Sequence, residues 1–187
     1  MIALDLFECP IYVSTVRQWH NVKDSFLKTI DWGSEECYRE EGMVGGYTDY
    51  FKFYNAGIVP NYFDKLMDII SEPMSMFQQM NPGAYVSNAW CQRYSKTACH
   101  PAHNHGALGF SAVFYAQLDS YDSPTSFFSP FPNPWTGQVK AVVPDCREGD
   151  IIFFPSSLIH QSLPHRGYQD KIIFSFNISK STEQISL

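Results

Sequence analysis

The first 80 residues carry apolar side chains at helical spacing. Two stretches, 16–30 and 61–77, place apolar residues three or four positions apart, which predicts two amphipathic helices. In the second stretch Asn61 suits the N-cap position, and Pro73 is expected to interrupt the helix. The apolar positions are Val16, Trp19, Phe26 and Ile30 in the first helix and Phe63, Leu66, Met67 and Ile70 in the second.

From Ala84 onward the pattern changes to short apolar runs separated by turn residues, as at 131–137 and 147–150, which is typical of strands. The predicted strands span 84–94, 109–118, 125–130, 138–144, 150–155 and 171–179. An earlier strand is predicted at 6–13, and the Gly- and Tyr-rich stretch 41–57 indicates a loop or hairpin. Many short strands after two helices predict a mainly β protein, a jelly-roll barrel with flanking helices.

Chain length and composition agree with that fold. The 187 residues are enough for one domain with one core. We expect a single domain over 1–187, with helical support over about 1–83 and the jelly-roll core over about 84–180. The 15 Phe, 11 Tyr and 4 Trp residues also favour a sheet-rich protein.

The charge pattern narrows the classes of partner. The formal net charge is −6, and Lys and Arg are scattered along the chain. Nucleic acids and anionic membranes bind concentrated basic surfaces, so we expect neither as a partner. No stretch reaches the roughly 18 apolar residues of a membrane span, and the N-terminus lacks the features of a secretion signal. These features predict a cytoplasmic protein.

The cysteine pattern indicates no structural role for these residues beyond packing. They are odd in number, widely spaced and free of any C-x-x-C motif, which indicates neither a disulfide framework nor a zinc ribbon. The five residues are Cys9, Cys37, Cys91, Cys99 and Cys146. We expect them to be reduced thiols.

Three histidines lie within residues 100–105, and His103 and His105 are separated by a single residue. Residues i and i+2 of a strand point to the same side, so this pair can supply two metal ligands from one strand end. His160 follows the strand predicted at 150–155 and could bring a third ligand to the same place. Three ligands on one face leave open positions on the metal, as in mononuclear non-haem iron oxygenases, which usually use two His and a carboxylate.

The remaining histidines carry less specific signals. His100 precedes Pro101 and lacks the spacing of a ligand pair, so a loop position or an indirect role is favoured over metal ligation. His165 is expected in a turn, and His20 on the surface of the first helix.

Lys171 stands at the start of the last predicted strand, after His160. A cation at that position could reach inward to the distal carboxylate of an acidic cosubstrate. Trp90, Gln92 and Tyr94 alternate along another strand, so one face of that strand points inward. These three side chains either pack in the core or line the cosubstrate pocket.

Four motifs resemble those of a known family. They are 7-FECPIYV-13, 103-HNHGALGFSAVFY-115, 148-EGDIIFFPSSLIH-160 and 171-KIIFSFNIS-179. In these the chain resembles the Fe(II)/2-oxoglutarate-dependent oxygenase superfamily, and within it a small group of oxygenases found in phages and marine bacteria. The resemblance runs over essentially the whole chain.

The resemblance has specific implications for fold and site. It implies a double-stranded β-helix, the cupin-like form of the jelly roll. It implies Fe(II) bound by His103, His105 and His160, and 2-oxoglutarate as the cosubstrate, held by Lys171. The expected activity is a dioxygenase reaction that hydroxylates a small molecule or a peptide side chain.

Two positions differ from the usual superfamily pattern. Position 105 is His where the superfamily generally has Asp or Glu, and position 171 is Lys where relatives generally have Arg. The companion Ser two positions later is replaced by Ile173. Candidates to share the binding of 2-oxoglutarate with Lys171 are Tyr94, Gln92, Ser175 and Arg166.

Two other hypotheses remain open at this point. An all-histidine site also fits a cupin-like metalloenzyme that does not use 2-oxoglutarate, and the role of Lys171 separates the two. A non-enzymatic jelly-roll binding module, whose histidines are vestigial, predicts no tight metal retention. The Tyr-rich stretch 47–54 is a candidate surface for pairing two copies in a homodimer.

Overall fold

The computed structural model describes residues 9–32 and 44–181, and it shows a curled antiparallel sheet with helices on one side. The strands are β1 (Tyr12–Thr15), β2 (Val44–Thr48), β3 (Ala84–His103), β4 (Phe110–Gln117), β5 (Ser126–Phe128), β6 (Ala141–Val142), β7 (Asp150–Pro155), β8 (His160–Ser162) and β9 (Lys171–Lys180). The helices are α1 (Trp19–Leu27), α2 (Phe63–Ile69) and α3 (Ser71–Met80), with a π-helical turn over Phe51–Asn55. The predicted mainly β, jelly-roll fold with flanking helices is confirmed.

The strands form a continuous hydrogen-bonded path in the order β1-β7-β4-β9-β3-β8-β5-β6, and β2 lies beside β3. The long strand β3 joins the two parts of this path, because its first half pairs with β9 and its last residues pair with β8. Between them Thr97 has a φ of 71°, which is rare for a β-branched residue. The N–H of Thr97 donates to the carbonyl of His165 at 3.0 Å, which holds this corner.

Alternation along β7 separates two apolar cores. Ile151 and Phe153 pack on the side of the helices, whereas Ile152 and Phe154 pack inside the barrel. All four side chains are buried. Burial on both faces explains why this strand has an uninterrupted apolar sequence.

The first predicted helix is confirmed in a shorter form. Trp19 and Phe26 are the buried residues of α1, and Val16 and Ile30 are buried just beyond its two ends. The indole N–H of Trp19 donates to the carbonyl of Ala116 at 2.9 Å. This hydrogen bond fixes α1 against β4.

The second predicted helix consists of two helices, α2 and α3, which meet at Ile70. The prediction that Pro73 interrupts the helix is wrong, because Pro73 lies in the first turn of α3. The first N–H groups of a helix have no partner within it, so the missing N–H of proline costs no hydrogen bond there. Asn61 is not the N-cap. Tyr62 occupies that position and makes no side-chain capping bond.

Three further elements differ from the sequence-based prediction. The strand predicted at 6–13, whose first residues lie outside the described ranges, begins at Tyr12 and pairs with β7. Within 41–57, described from residue 44 onward, β2 pairs with β3 rather than forming a hairpin of its own. The strand predicted at 138–144 is reduced to β6, and the three-residue strand β8 is too short to give a periodic signal.

A buried carboxylate holds the segment after β2 against β3. Asp49 is 1% exposed; one of its oxygens accepts the N–H of Cys91 and the other accepts the O–H of Tyr62, both at 2.7 Å. Burial raises the pKa of Asp49 to about 6. These contacts fix the neighbouring Tyr50, which lines the pocket described below.

Asp49→Asn is expected to change how the stability of the fold depends on pH. The folded pKa of about 6 lies above the ordinary 3.8, so ionisation of Asp49 destabilises the fold as the pH rises from about 4 through 6. Asparagine keeps an acceptor for Cys91 and a donor for Tyr62 but does not ionise. Between pH 5 and 7 we expect the free energy of unfolding of the wild type to fall by about 1 kcal/mol relative to the variant. Urea unfolding at both pH values measures this, and a pH-independent difference would contradict it.

None of the helices in the described ranges exceeds ten residues, and none is long and apolar enough to span a membrane.

Candidate metal centre and its pocket

Three histidine side chains converge at one end of the barrel. His103 ends β3, His105 lies in the loop after it, and His160 begins β8. One ligand nitrogen from each histidine lies within 4.8 Å of the others. His103 and His160 are partners in the β3–β8 register, which explains how ligands far apart in sequence meet. The three side chains form a candidate metal site.

Backbone carbonyls set the tautomer of two of these histidines. The Nδ1 of His103 lies 2.8 Å from the carbonyl oxygen of Pro101, and the Nδ1 of His160 lies 2.9 Å from that of Leu158. A carbonyl only accepts hydrogen bonds, so each Nδ1 carries the proton. The Nε2 of each ring therefore keeps a lone pair for a metal.

His105 is held by side chains instead. Its Nδ1 lies 3.0 Å from the amide oxygen of Asn177 and 2.8 Å from the hydroxyl of Ser111. The amide oxygen only accepts, so Nδ1 again carries the proton and Nε2 is left for a metal. All three histidines thus have a tautomer that leaves the Nε2 lone pair for a shared metal.

Burial keeps these rings neutral. Loss of solvent, together with the neighbouring His103, lowers the pKa of His160 to about 3 and the pKa of His105 to about 4. Burial also lowers the pKa of His103. Neutral imidazole is the metal-binding form, so the charge state and the tautomers of these residues fit a divalent metal.

His103 and His105 line a pocket of about 160 Å³. Its walls include Trp90, Gln92 and Tyr94 of β3, together with Ser175 and Asn177 of β9. Of the two roles considered for these three alternating residues of β3, core packing or pocket lining, the structure shows that they line the pocket. None of the described residues that line the pocket is a carboxylate.

Alternation along β9 places polar residues on the pocket side of an apolar strand. Ile172 and Phe174 pack on the side of the helices, whereas Ser175 and Asn177 line the pocket. Lys171 shares the face of Ser175 and Asn177 at the start of the strand. Asn177 thus lies in the pocket wall beside the histidines, and Lys171 lies behind the wall, where its Nζ contacts the lining residue Ser162.

Lys171 is a buried cation in contact with neutral groups. It is 1% exposed, and its Nζ donates to the carbonyl of Ser123 at 2.6 Å and to the hydroxyl of Ser162 at 3.2 Å. Nζ also lies 5.6 Å from the ring centroid of Tyr94. Burial lowers the pKa of Lys171 to about 8, against an opposing effect of the Asp122 charge. No ion pair within 9–32 and 44–181 includes Lys171.

Arg166 lies outside this pocket. It is exposed and lines a separate cavity beside Leu163. His165 follows β8 in a loop, in line with the predicted turn, but its ring is buried and its Nδ1 lies 2.8 Å from a carboxylate oxygen of Asp122. His20 is exposed on α1, as predicted.

His100 belongs to the pocket without joining the three-histidine group. It is buried, its ring stacks on His103 with centroids 4.0 Å apart, and its Nδ1 lies 3.4 Å from the amide nitrogen of Gln92. That amide donates its hydrogen to Nδ1, so His100 has the opposite tautomer to the three ligands. Apart from its closeness to the His-x-His pair, no sequence pattern indicates that His100 lies in the pocket.

Comparison with known proteins adds a family. Residues 88–177 match a family described as "Putative 2OG-Fe(II) oxygenase". No curated protein matches the sequence. Among solved structures the chain is similar to HygX from Streptomyces hygroscopicus with nickel and 2-oxoglutarate bound, at 12% identity over 93% of this chain and 84% of that one, with a TM-score of 0.60. It is also similar to a Pseudomonas putida prolyl-4-hydroxylase, at 14% identity over 91% and 92% of the two chains, with a TM-score of 0.57.

A third structure is an oxidoreductase of the 2OG-Fe(II) oxygenase family from Burkholderia pseudomallei, at 14% identity with a TM-score of 0.51. The match covers 66% of this chain and spans 58% of the length of that one. At these identities the structural likeness shows the fold. The segment matched by the family contains His103, His105, His160 and Lys171. The predicted resemblance to the 2OG-Fe(II) oxygenases is therefore confirmed by the family match over residues 88–177.

Proposed function

We propose that the chain is an Fe(II)- and 2-oxoglutarate-dependent dioxygenase that hydroxylates a small molecule or a peptide side chain. The observation that carries this proposal is a pocket lined by His103 and His105, which form a three-histidine group with His160, together with a buried lysine, Lys171, that contacts the lining residue Ser162. A metal and an acidic cosubstrate can bind side by side in such a pocket.

The metal ligands of this proposal are His103, His105 and His160, each through Nε2. Fe(II) bound there would supply the redox chemistry between dioxygen, the 2-oxo acid and the substrate. Trp90, whose ring centroid lies 5.5 Å from that of His105, packs beside the site and shields it from water.

The cosubstrate site of this proposal is the part of the pocket lined by Ser162 and Tyr94, the two lining residues nearest Lys171 Nζ. Lys171 binds the distal carboxylate of 2-oxoglutarate, in place of the neutral oxygens that it contacts in this structure. Tyr94, Gln92 and Ser175 supply further polar contacts from the walls. Arg166 takes no part, because it lies on the surface at a different cavity.

The buried charge favours 2-oxoglutarate use over the alternative of a cupin-like enzyme without it. Burying a cation without an anionic partner is costly, and an incoming carboxylate would offset that cost. In a metalloenzyme that does not bind an acid, nothing would offset the cost of burying the Lys171 cation next to the pocket. Among the residues that the structure describes, the pocket lining also contains no carboxylate that would repel a dianion.

The substrate class includes small molecules and peptides. Similar folds occur in HygX with hygromycin B bound and in a prolyl hydroxylase from Trichoplax adhaerens in complex with a peptide fragment. This architecture therefore accommodates both classes, and loops around the pocket would select between them in this chain.

Anaerobic titration of the Fe(II)-loaded protein with 2-oxoglutarate tests the proposal. A 2-oxo acid that chelates Fe(II) gives a visible charge-transfer band, so we expect a band that saturates at one equivalent per chain. Succinate has two carboxylates but no 2-oxo group, and as a control it should give no band. Bound iron without a band would favour the metalloenzyme that does not use 2-oxoglutarate. Failure to retain metal would favour the binding module.

A further inference from the structure

We infer that Asn177, Ser111 and Ser156 are positioning residues that hold His105 in its metal-binding tautomer. This inference rests on the proposed function, because it assigns these side chains to the same metal site. Each lies in one of the sequence motifs described above, at a position to which neither metal ligation nor the role of Lys171 assigns a function. Ser111 follows the His-x-His pair, Ser156 belongs to the FFPS segment and Asn177 to the SFN segment.

Strand register brings two of these side chains to one nitrogen. Ser111 on β4 and Asn177 on β9 are direct partners, so their side chains point to the same side of the sheet. Both lie within hydrogen-bonding distance of the Nδ1 of His105. The proton on Nδ1 is shared between two oxygens, and neither contact involves the backbone of His105.

Ser156 completes the arrangement from behind. Its hydroxyl lies 3.0 Å from that of Ser111, and its carbonyl accepts the backbone N–H of His105 at 2.9 Å. With Nδ1–H of His105 directed at its oxygen, Ser111 donates its own hydrogen to Ser156. Ser111 and Ser156 are 0% and 3% exposed, so water does not compete for these bonds.

The other two ligands do not need such help. His103 and His160 direct Nδ1–H at the backbone carbonyl two positions earlier in the chain, which any residue at that position would supply. Only His105, among the three, depends on side chains for its tautomer. A carboxylate ligand at position 105 would have no tautomers and would not need residues that select one. The histidine at this position does, and Asn177 and Ser111 make that selection.

Two measurements test the inference, one of them without metal. The first is the dissociation constant for Co(II), followed by its visible spectrum. The second is the ¹⁵N NMR spectrum of histidine-labelled, metal-free protein, with His105 assigned by a His105→Gln variant. For Asn177→Leu, which keeps the volume but not the acceptor, we expect on the order of 10- to 100-fold weaker Co(II) binding and loss of the single Nδ1–H form of His105. Asn177→Asp keeps the acceptor and should restore both properties.

The matched control is Asn88→Leu. Asn88 is the register partner of Asn177 on β3, and within the described part of the chain its buried Oδ1 accepts no hydrogen bond. This variant should bind Co(II) like the wild type. Equal weakening by Asn88→Leu and Asn177→Leu, or an unchanged His105 tautomer in Asn177→Leu, overturns the inference. A wild-type chain that retains no metal would refute the proposed function. The His105 tautomer, measured by ¹⁵N NMR in the metal-free protein, would still show whether Asn177 selects it.

Discussion

His160→Ala is expected to abolish metal retention. His160 is one of three ligands and approaches the site from β8, whereas the other two come from β3 and the loop after it. Its loss leaves only neighbouring ligands on one side, so the affinity should fall by more than the roughly 10- to 100-fold that the loss of a hydrogen bond to a ligand costs. Metal content after purification without a His-tag, and Co(II) titration, measure the effect.

The controls separate lost ligation from lost folding. His160 packs against Phe127 and Phe154, so the alanine variant also leaves a cavity. His103→Ala removes a less buried ligand and should abolish binding in the same way. His20→Ala, on the exposed face of α1, should leave metal content unchanged. Stoichiometric metal in both ligand variants would refute the three-histidine site.

Lys171→Met is expected to abolish the 2-oxoglutarate-dependent band while metal binding is retained. Methionine keeps most of the side-chain volume and removes the cation that we propose pairs with the distal carboxylate. Removing one member of a buried charge pair costs several kcal/mol, so the dissociation constant for 2-oxoglutarate should rise on the order of 100-fold or more. Isothermal titration of the Mn(II)-loaded protein gives the constant without turnover.

Lys180→Met is the matched control for this substitution. Lys180 ends the same strand but is exposed to solvent, so its loss should not alter binding of metal or cosubstrate. Wild-type affinity for 2-oxoglutarate in Lys171→Met would contradict the proposed role of Lys171. Metal-dependent activity that survives in this variant would instead support the cupin-like alternative.

Much of the fold follows from the periodicity of the sequence. The strands β4, β7 and β9 lie where short apolar runs predicted them, because each run is long enough to show its pattern. The exceptions have local causes. Pro73 suggests the end of a helix, but the first turn of a helix tolerates proline. Strand β8 forms because it pairs with β3 and β5, since its own three residues carry no strand pattern.

The residues of the candidate site differ in how far the sequence could predict them. His103 and His105 share a strand-end spacing, and Lys171 begins a strand, so local patterns alone singled them out. The pocket position of His100 and the surface position of Arg166 depend on how β3 and the loop after β8 pack, which spacing does not encode. The contacts of Asn177 require the register between β4 and β9, although the SFN motif marked the position.

The continuity of β3 has a consequence for cooperativity. This one strand carries the pocket wall, the corner at Thr97 and the ligand His103, and it is hydrogen-bonded to β2, β8 and β9. Unfolding of the metal site therefore requires loss of the hydrogen bonds of β3, the strand that links both parts of the sheet. A metal that binds only the folded chain raises the free energy of unfolding by mass action. Because β3 links both parts of the sheet, we expect this stabilisation to extend to the whole sheet. Slowed amide hydrogen exchange would spread from the histidines into β9 and β4, far beyond the loop that holds the ion.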